Sequence, residues 1–172
     1  MSPLTSDQMK TLQHDLARIA DQESRLHLPH FNQAIAWDIG LALKRLAEAR
    51  GHAVTIEIRL AHELVFFHAM PGTTPANADW ARRKRNTVEL LHRSSYAVGR
   101  SLALEGSSLE TMMGLPARDY ASHGGSFPVR LAGGACVGTV TVSGLPQRED
   151  HALVVEVLAL QCDLEPTAIA LD

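Results

Sequence analysis

Aromatic side chains are scarce, at 5% of 172 residues, and positive charge is not in excess: 16 Lys and Arg stand against 19 Asp and Glu, for a formal charge of -3. A nucleic-acid surface needs a basic patch interleaved with stacking rings, so that partner is not expected. No apolar run approaches the length of a membrane span, and residues 1–10 have no apolar core of a secretory signal. The expectation is a cytoplasmic protein with no membrane partner. Its two cysteines, Cys136 and Cys162, lie among Ala, Val and Leu, too far apart for a Cys-x-x-Cys site and too few for a disulfide framework. They read as buried, reduced thiols.

Several chemical signatures are also missing. Without Gly-x-Ser-x-Gly, His123-Gly124-Gly125 cannot be the oxyanion loop of a serine hydrolase. Neither a P-loop nor Gly-x-Gly-x-x-Gly is present, so nucleotide binding is not indicated. His62-Glu63 lacks the second histidine of a zinc protease, and the other histidines have no tight ligand spacing, so no metal site is assigned.

What is present is an ordinary globular composition, 45% hydrophobic and 20% charged, in a chain of one-domain length. Residues 1–172 are read as one α/β domain, with 166–172 as a tail that extends away or onto a neighbour. Thr5 and Gln8 have capping-box spacing ahead of the helical series Met9, Leu12, Leu16, Ile19. Asn32 caps a second helix with Ile35, Ile39, Leu43 and Leu46 on one face, ended by Gly51.

Val54, Ile56 and Ile58 alternate with Thr55, Glu57 and Arg59, the run 64–67 is continuously apolar, and residues 61–63 turn a hairpin between them. Thr74-Pro75 opens a helix expected to run from about Ala76 into the 94–104 region. A second hairpin joins residues 129–131 and 136–143 through Gly133-Gly134, and a helix runs from about Arg148 to Asp163. Paired hairpins rather than βαβ crossovers predict an α+β fold, a mostly antiparallel sheet covered by helices in a profilin-like arrangement.

Four segments could carry chemistry. In Asp79-Trp80-Ala81-Arg82-Arg83-Lys84-Arg85-Asn86, successive basic residues point around a helix at about 100° intervals and cannot line one groove. Trp80, Val88, Leu91, Ser95 and Val98 form an apolar stripe that contains Lys84. That lysine must snorkel or find an acid. Arg82, Arg85, Glu89, Arg93 and Arg100 lie opposite, either as a solvated face with Arg85–Glu89 and Glu89–Arg93 pairs or facing an anion.

In His92-Arg93-Ser94-Ser95-Tyr96, His92 is either structural or a metal, haem or proton-transfer group. Gly124 and Gly125 beside His123 allow close approach by another group. In Val142-Ser143-Gly144-Leu145-Pro146-Gln147-Arg148-Glu149-Asp150-His151, a strand passes into a helix start where Arg148 offers an anion fork, while Glu149 and Asp150 already supply charge to the first turn.

These four strings resemble a branch of the haem-degrading-domain, or HbpS-like, superfamily, and the match spans most of residues 14–163. The resemblance implies a profilin-like fold, a homo-oligomer, and a pocket for haem or another small ligand. It supplies no catalytic residues, and the chain has no Cys-x-x-Cys-His attachment motif.

Three functions follow as expectations. The first is binding of a small anionic molecule, haem included, through Arg82, Arg85, His92, His123, Gly124, Gly125 and Arg148. The second is an enzyme using His123 or His151 as general acid or base, with Arg148 holding an anionic substrate. The third is an interaction scaffold, a dimer or larger, in which the apolar helix containing residues 152–160 and the tail with Ile169 and Leu171 meet another copy.

Overall fold

The computed structural model describes residues 4–171; residues 1–3 of the stretch read against a secretory signal, and the tail residue Asp172, lie outside it. Helix α1 (Ser6–Arg25) starts at the expected capping box, where Gln8 N–H donates to Thr5 Oγ1 at 3.2 Å and Thr5 N–H to Gln8 Oε1 at 2.9 Å. The two-residue strand β1 (His27–Leu28) follows, and then α2 (Gln33–Ala49), capped by Asn32. Strands β2 (Thr55–Leu60) and β3 (Glu63–Ala69) form the first hairpin.

Helices α3 (Pro75–Leu91), α4 (Ser95–Glu105) and α5 (Leu109–Met113) come next. Strands β4 (Ser126–Leu131) and β5 (Cys136–Ser143) make the second hairpin, and α6 (Gln147–Gln161) and α7 (Pro166–Ile169) complete the chain. The sheet has the order β1-β4-β5-β2-β3, antiparallel except for the β1–β4 pair. This is the α+β architecture expected from the hairpins.

The alternation along β2 and β5 separates the sheet into two unlike faces. Ile56, Ile58, Phe127, Val140 and Val142 share the apolar face, which packs under α2 and α6 as the main core. Thr55, Glu57, Thr139, Thr141, Ser126 and Ser143 share the other face, yet all six are buried as well. Helix α3 lies over that face and brings Lys84, Arg85 and Thr87 to it. The chain therefore holds a buried polar layer between α3 and the sheet, and that layer positions the candidate sites.

Three expectations are corrected. The helix opened by Pro75 does not continue through 94–104: it stops at Leu91, His92 turns left-handed (φ 52°), and Ser94 caps α4 by accepting Ala97 N–H at 3.2 Å. The Glu89–Arg93 pair is consequently not formed, and Arg93 donates to Ser101 Oγ at 3.3 Å. Nor does the tail extend away from the domain. Ile169 is fully buried, its carbonyl accepts Gln22 Nε2–H at 2.7 Å, and Arg18 donates to the Ala170 carbonyl, also at 2.7 Å. Finally, the apolar α6 needs little cover from another copy, because the sheet, α2 and α7 bury Leu153, Val154, Val155, Val157, Leu158 and Ala159; Leu160 stays exposed.

Candidate functional site

Lys84 finds the acid its position required. Its Nζ lies 2.7 Å from Asp150 Oδ2 and donates to the Val142 carbonyl at 3.2 Å, with both side chains almost fully buried. Asp150 sits in the first turn of α6 and also ties down the preceding turn, accepting Leu145 N–H at 3.0 Å and Gly144 N–H at 3.4 Å. Burial pushes the Lys84 ammonium down and the Asp150 carboxyl up, and each charge holds the other back. A pair this buried persists because its remaining hydrogen-bonding capacity is filled by backbone.

The glycine pair lets loop 121–125 close over these charges. A Cβ on Gly125 (φ 127°) would stand 2.4 Å from the Val142 carbonyl oxygen and 2.8 Å from Lys84 Nζ, and one on Gly124 would stand 2.1 Å from the Gln147 carbonyl oxygen. Only glycine fits either position. The loop carries His123 to the mouth of a cleft of about 260 Å³, lined among others by Trp80, Lys84, Ser143, Gln147 and Asp150.

The His123 ring packs edge-on to Trp80, centroids 4.9 Å apart, and the Arg83 guanidinium stacks 3.8 Å over the indole. Desolvation, followed by the nearby cations Lys84, Arg83 and Arg100, lowers the His123 pKa. The imidazole is therefore neutral at pH 7, with a lone pair for a proton, a metal centre or a hydrogen-bond donor.

The other sequence-nominated residues do not converge here. Arg82 is taken up by Asp79 at 3.0 Å and Asp119 at 3.1 Å on the outer side of α3. Arg85 is buried in the polar layer, 2.8 Å from Glu57 and 3.4 Å from Glu89, not on a solvated face. Arg148 reaches back to Asp15 on α1 at 2.8 Å. His92, as the left-handed cap of α3, lines a second cleft at the opposite end of that helix.

His151 is 1% exposed and lines neither cleft; its Nε2 is 2.8 Å from Gln22 Oε1, and burial pushes its pKa down to about 3. Both cysteines are unpaired, and burial raises their thiol pKa values. Among the described residues no group of His, Cys, Asp and Glu is arranged to hold a metal ion. No described helix is long and apolar enough to cross a membrane.

The sequence reading left Trp80, Gln147 and the Lys84–Asp150 pair out of the nominated contacts. The signal for the pair was present: a lysine in an apolar stripe needs an acid, and Asp150 opens a buried helix. Its identity as the partner required the tertiary fold, since 66 positions separate the two.

Comparison with known proteins places these elements in a family. The profile described as "Haem degrading protein HbpS-like" matches residues 31–159. A UPF0303 protein of Azotobacter vinelandii is 53% identical over 161 residues, covering 94% of this chain and 97% of that one. A UPF0303 protein of Serratia proteamaculans is 50% identical over 145 residues, 84% of this chain and 90% of that one.

Among solved structures, Ybr137w superposes with TM-score 0.81 at 24% identity over 95% of this chain and 98% of that one. HbpS gives 0.61 at 20% over 76% and 89%, and the PduOC:heme complex 0.63 at 17% over 76% and 92%. At these identities the structural matches speak for the fold. With three-quarters of its length under the profile and half or more of the aligned residues identical in those relatives, the chain belongs to the HbpS-like haem-degrading-protein family, alongside the UPF0303 proteins.

Proposed function

We propose that this chain is a small-ligand-binding protein whose site is the His123 cleft, and that haem is the first ligand to test. The observation that carries the reading is the neutral His123 ring at the mouth, packed against Trp80 and with no hydrogen-bond partner for its nitrogens in the described structure. His123 would be the residue to hold haem iron, and haem would supply the redox and oxygen chemistry. The family profile and the haem complex of the PduOC neighbour support the choice.

Size sets the manner of binding. At about 260 Å³ the cleft falls below the ~300–1,000 Å³ of enclosing ligand pockets, so it would not enclose a macrocycle, while a small acid or amide could enter. Titration with haemin tests it: a saturable Soret shift, lost in His123→Ala and kept in His92→Ala, is expected. No saturable shift, or one indifferent to His123→Ala, overturns the haem reading.

The same neutral imidazole favours a second reading, a general base acting on a substrate in the cleft. Turnover in a substrate screen that His123→Ala abolishes would select it. Self-association completes the proposal. Its support is the open edge of β3, where Leu64 and Phe67 are exposed.

A further inference from the structure

At the far end of α3 a second cleft, about 350 Å³, opens between the β2–β3 turn, His92 and the start of β5. Unlike the first, it reaches the size of an enclosing ligand pocket. Leu60 and Val137 give it an apolar wall. Thr139 also lines it and is only 1% exposed, yet Thr139 Oγ1 has no hydrogen-bond partner. Buried hydroxyls are bonded as a rule, so this one is an unmet donor in the cleft wall.

The rim is conformationally unusual. Ala61, His62 and His92 have φ of 45°, 70° and 52°, so three of the four non-glycine left-handed residues among those described line this one cleft. Such residues persist where their surroundings hold them, and they cluster at ligand clamps. Here guanidiniums hold two of the three: Arg59 Nη1 donates to the His62 carbonyl at 2.8 Å and Arg130 Nη2 donates to the His92 carbonyl.

The charges are uneven. Glu89, the acid of the lining, is engaged by Arg85 at 3.4 Å and His62 at 3.5 Å, and Glu57 by Arg85 and Arg59. Arg130 forms no ion pair among the described residues. Its second bond goes to the Gly134 carbonyl at 3.0 Å, and its neighbour across the strands is the cleft-lining Cys136. The carboxylates are thus matched while one guanidinium at the rim is not.

We infer that this cleft is a second binding site, separate from the His123 cleft, for a small carboxylic acid with an apolar body. The body lies against Leu60 and Val137, one carboxylate oxygen accepts the Thr139 proton, and Arg130 supplies the attracting charge. The apolar wall favours a carbon body, and the unmatched cation favours an acid over an amine.

The test is a titration of isotope-labelled protein with 3-phenylpropionate, followed by amide shifts in two-dimensional NMR. Saturable shifts centred on Gly138, Thr139 and His92 are expected, with 3-phenylpropanamide and 3-phenylpropylamine at least about tenfold weaker. Thr139→Val should weaken the acid about tenfold while Thr139→Ser keeps it, and Arg130→Gln should weaken it by a similar factor. Arg130→Gln decides the matter if Thr139→Val does not fold.

No saturation by about 10 mM overturns the inference, as do an amine that binds as tightly as the acid and shifts centred on Trp80 and His123. So does unchanged affinity in a folded Thr139→Val or Arg130→Gln protein. None of these outcomes decides whether haemin binds with a Soret shift that His123→Ala removes, so the two sites fail separately.

Discussion

Acid should destabilise this protein chiefly through His151. Gln22 Nε2–H is committed to the Ile169 carbonyl at 2.7 Å, so Gln22 Oε1 faces His151 Nε2 and fixes the proton there. Nδ1 is then a buried lone pair with no partner. Protonation would place an N–H at that atom with nothing to receive it, beside Tyr96 and Phe127 and within the field of Arg148. Burial first, and Arg148 second, push the pKa from 6.5 to about 3.

The unfolded chain therefore binds this proton at higher pH than the native state does, and stability is lost as pH falls below about 6.5. The full difference is about 5 kcal/mol below pH 3, and the share lost between pH 7 and pH 5 is about 2 kcal/mol. For a chain of this size that share corresponds to roughly 4–8 °C in Tm.

Urea unfolding of wild type and His151→Gln at pH 7 and pH 5 isolates this contribution. Glutamine does not titrate and can still donate to Gln22, and every other titrating group is common to both proteins. Wild type should lose about 2 kcal/mol more than the variant over that interval. Equal losses would refute the reasoning, because they would mean that the native state accommodates the imidazolium at no cost.

The ion pair under the first cleft makes a second prediction: Lys84→Met should cost about 3–5 kcal/mol by leaving Asp150 buried and charged, and adding Asp150→Asn, which keeps an acceptor for the Gly144 and Leu145 amides, should recover most of it. Urea midpoints of the single and double variants check this. Deleting residues 167–172 removes the buried Ile169, so it should lower stability by about 2–5 kcal/mol in the same assay and leave the mass by light scattering unchanged. Light scattering of the intact chain should give a dimer or larger assembly, and Phe67→Lys on the exposed edge strand should reduce it; a wild-type monomer at micromolar concentration would remove the proposed self-association.

Local chemistry made the architecture legible. The Thr5–Gln8 box, the Asn32 cap, Pro75 at a helix start and the alternation of residues 54–59 are each fixed by near neighbours, and each stands where it was expected. What could not be read locally was set by tertiary contacts. His92 breaks an otherwise helical pattern, and a histidine gives no warning of a left-handed turn held by Arg130 from another strand. The tail looked like spare apolar surface because Ile169 fills a space whose other wall is contributed by α1, nearly 150 positions away. Arg82, Arg85 and Arg148 looked available to an anion because their partners, Asp119, Glu57 and Asp15, are distant in the chain.

Those paired arginines point to a general feature of the fold. Alternation in β2 and β5 ordinarily leaves a polar sheet face in water, but α3 covers that face, so its charges had to be matched: Arg85 with Glu57, and Lys84 with Asp150. A polar layer sealed in this way is rigid in its middle and open at its ends, where the helix that covers it begins and stops. Trp80 and His123 stand at one end, and Thr139 and His92 at the other. At each end the matching is incomplete, with an imidazole nitrogen free at the first and a hydroxyl unpartnered at the second. The two proposed ligand sites stand at those ends because there the layer is open to a ligand, whereas α3 seals its middle.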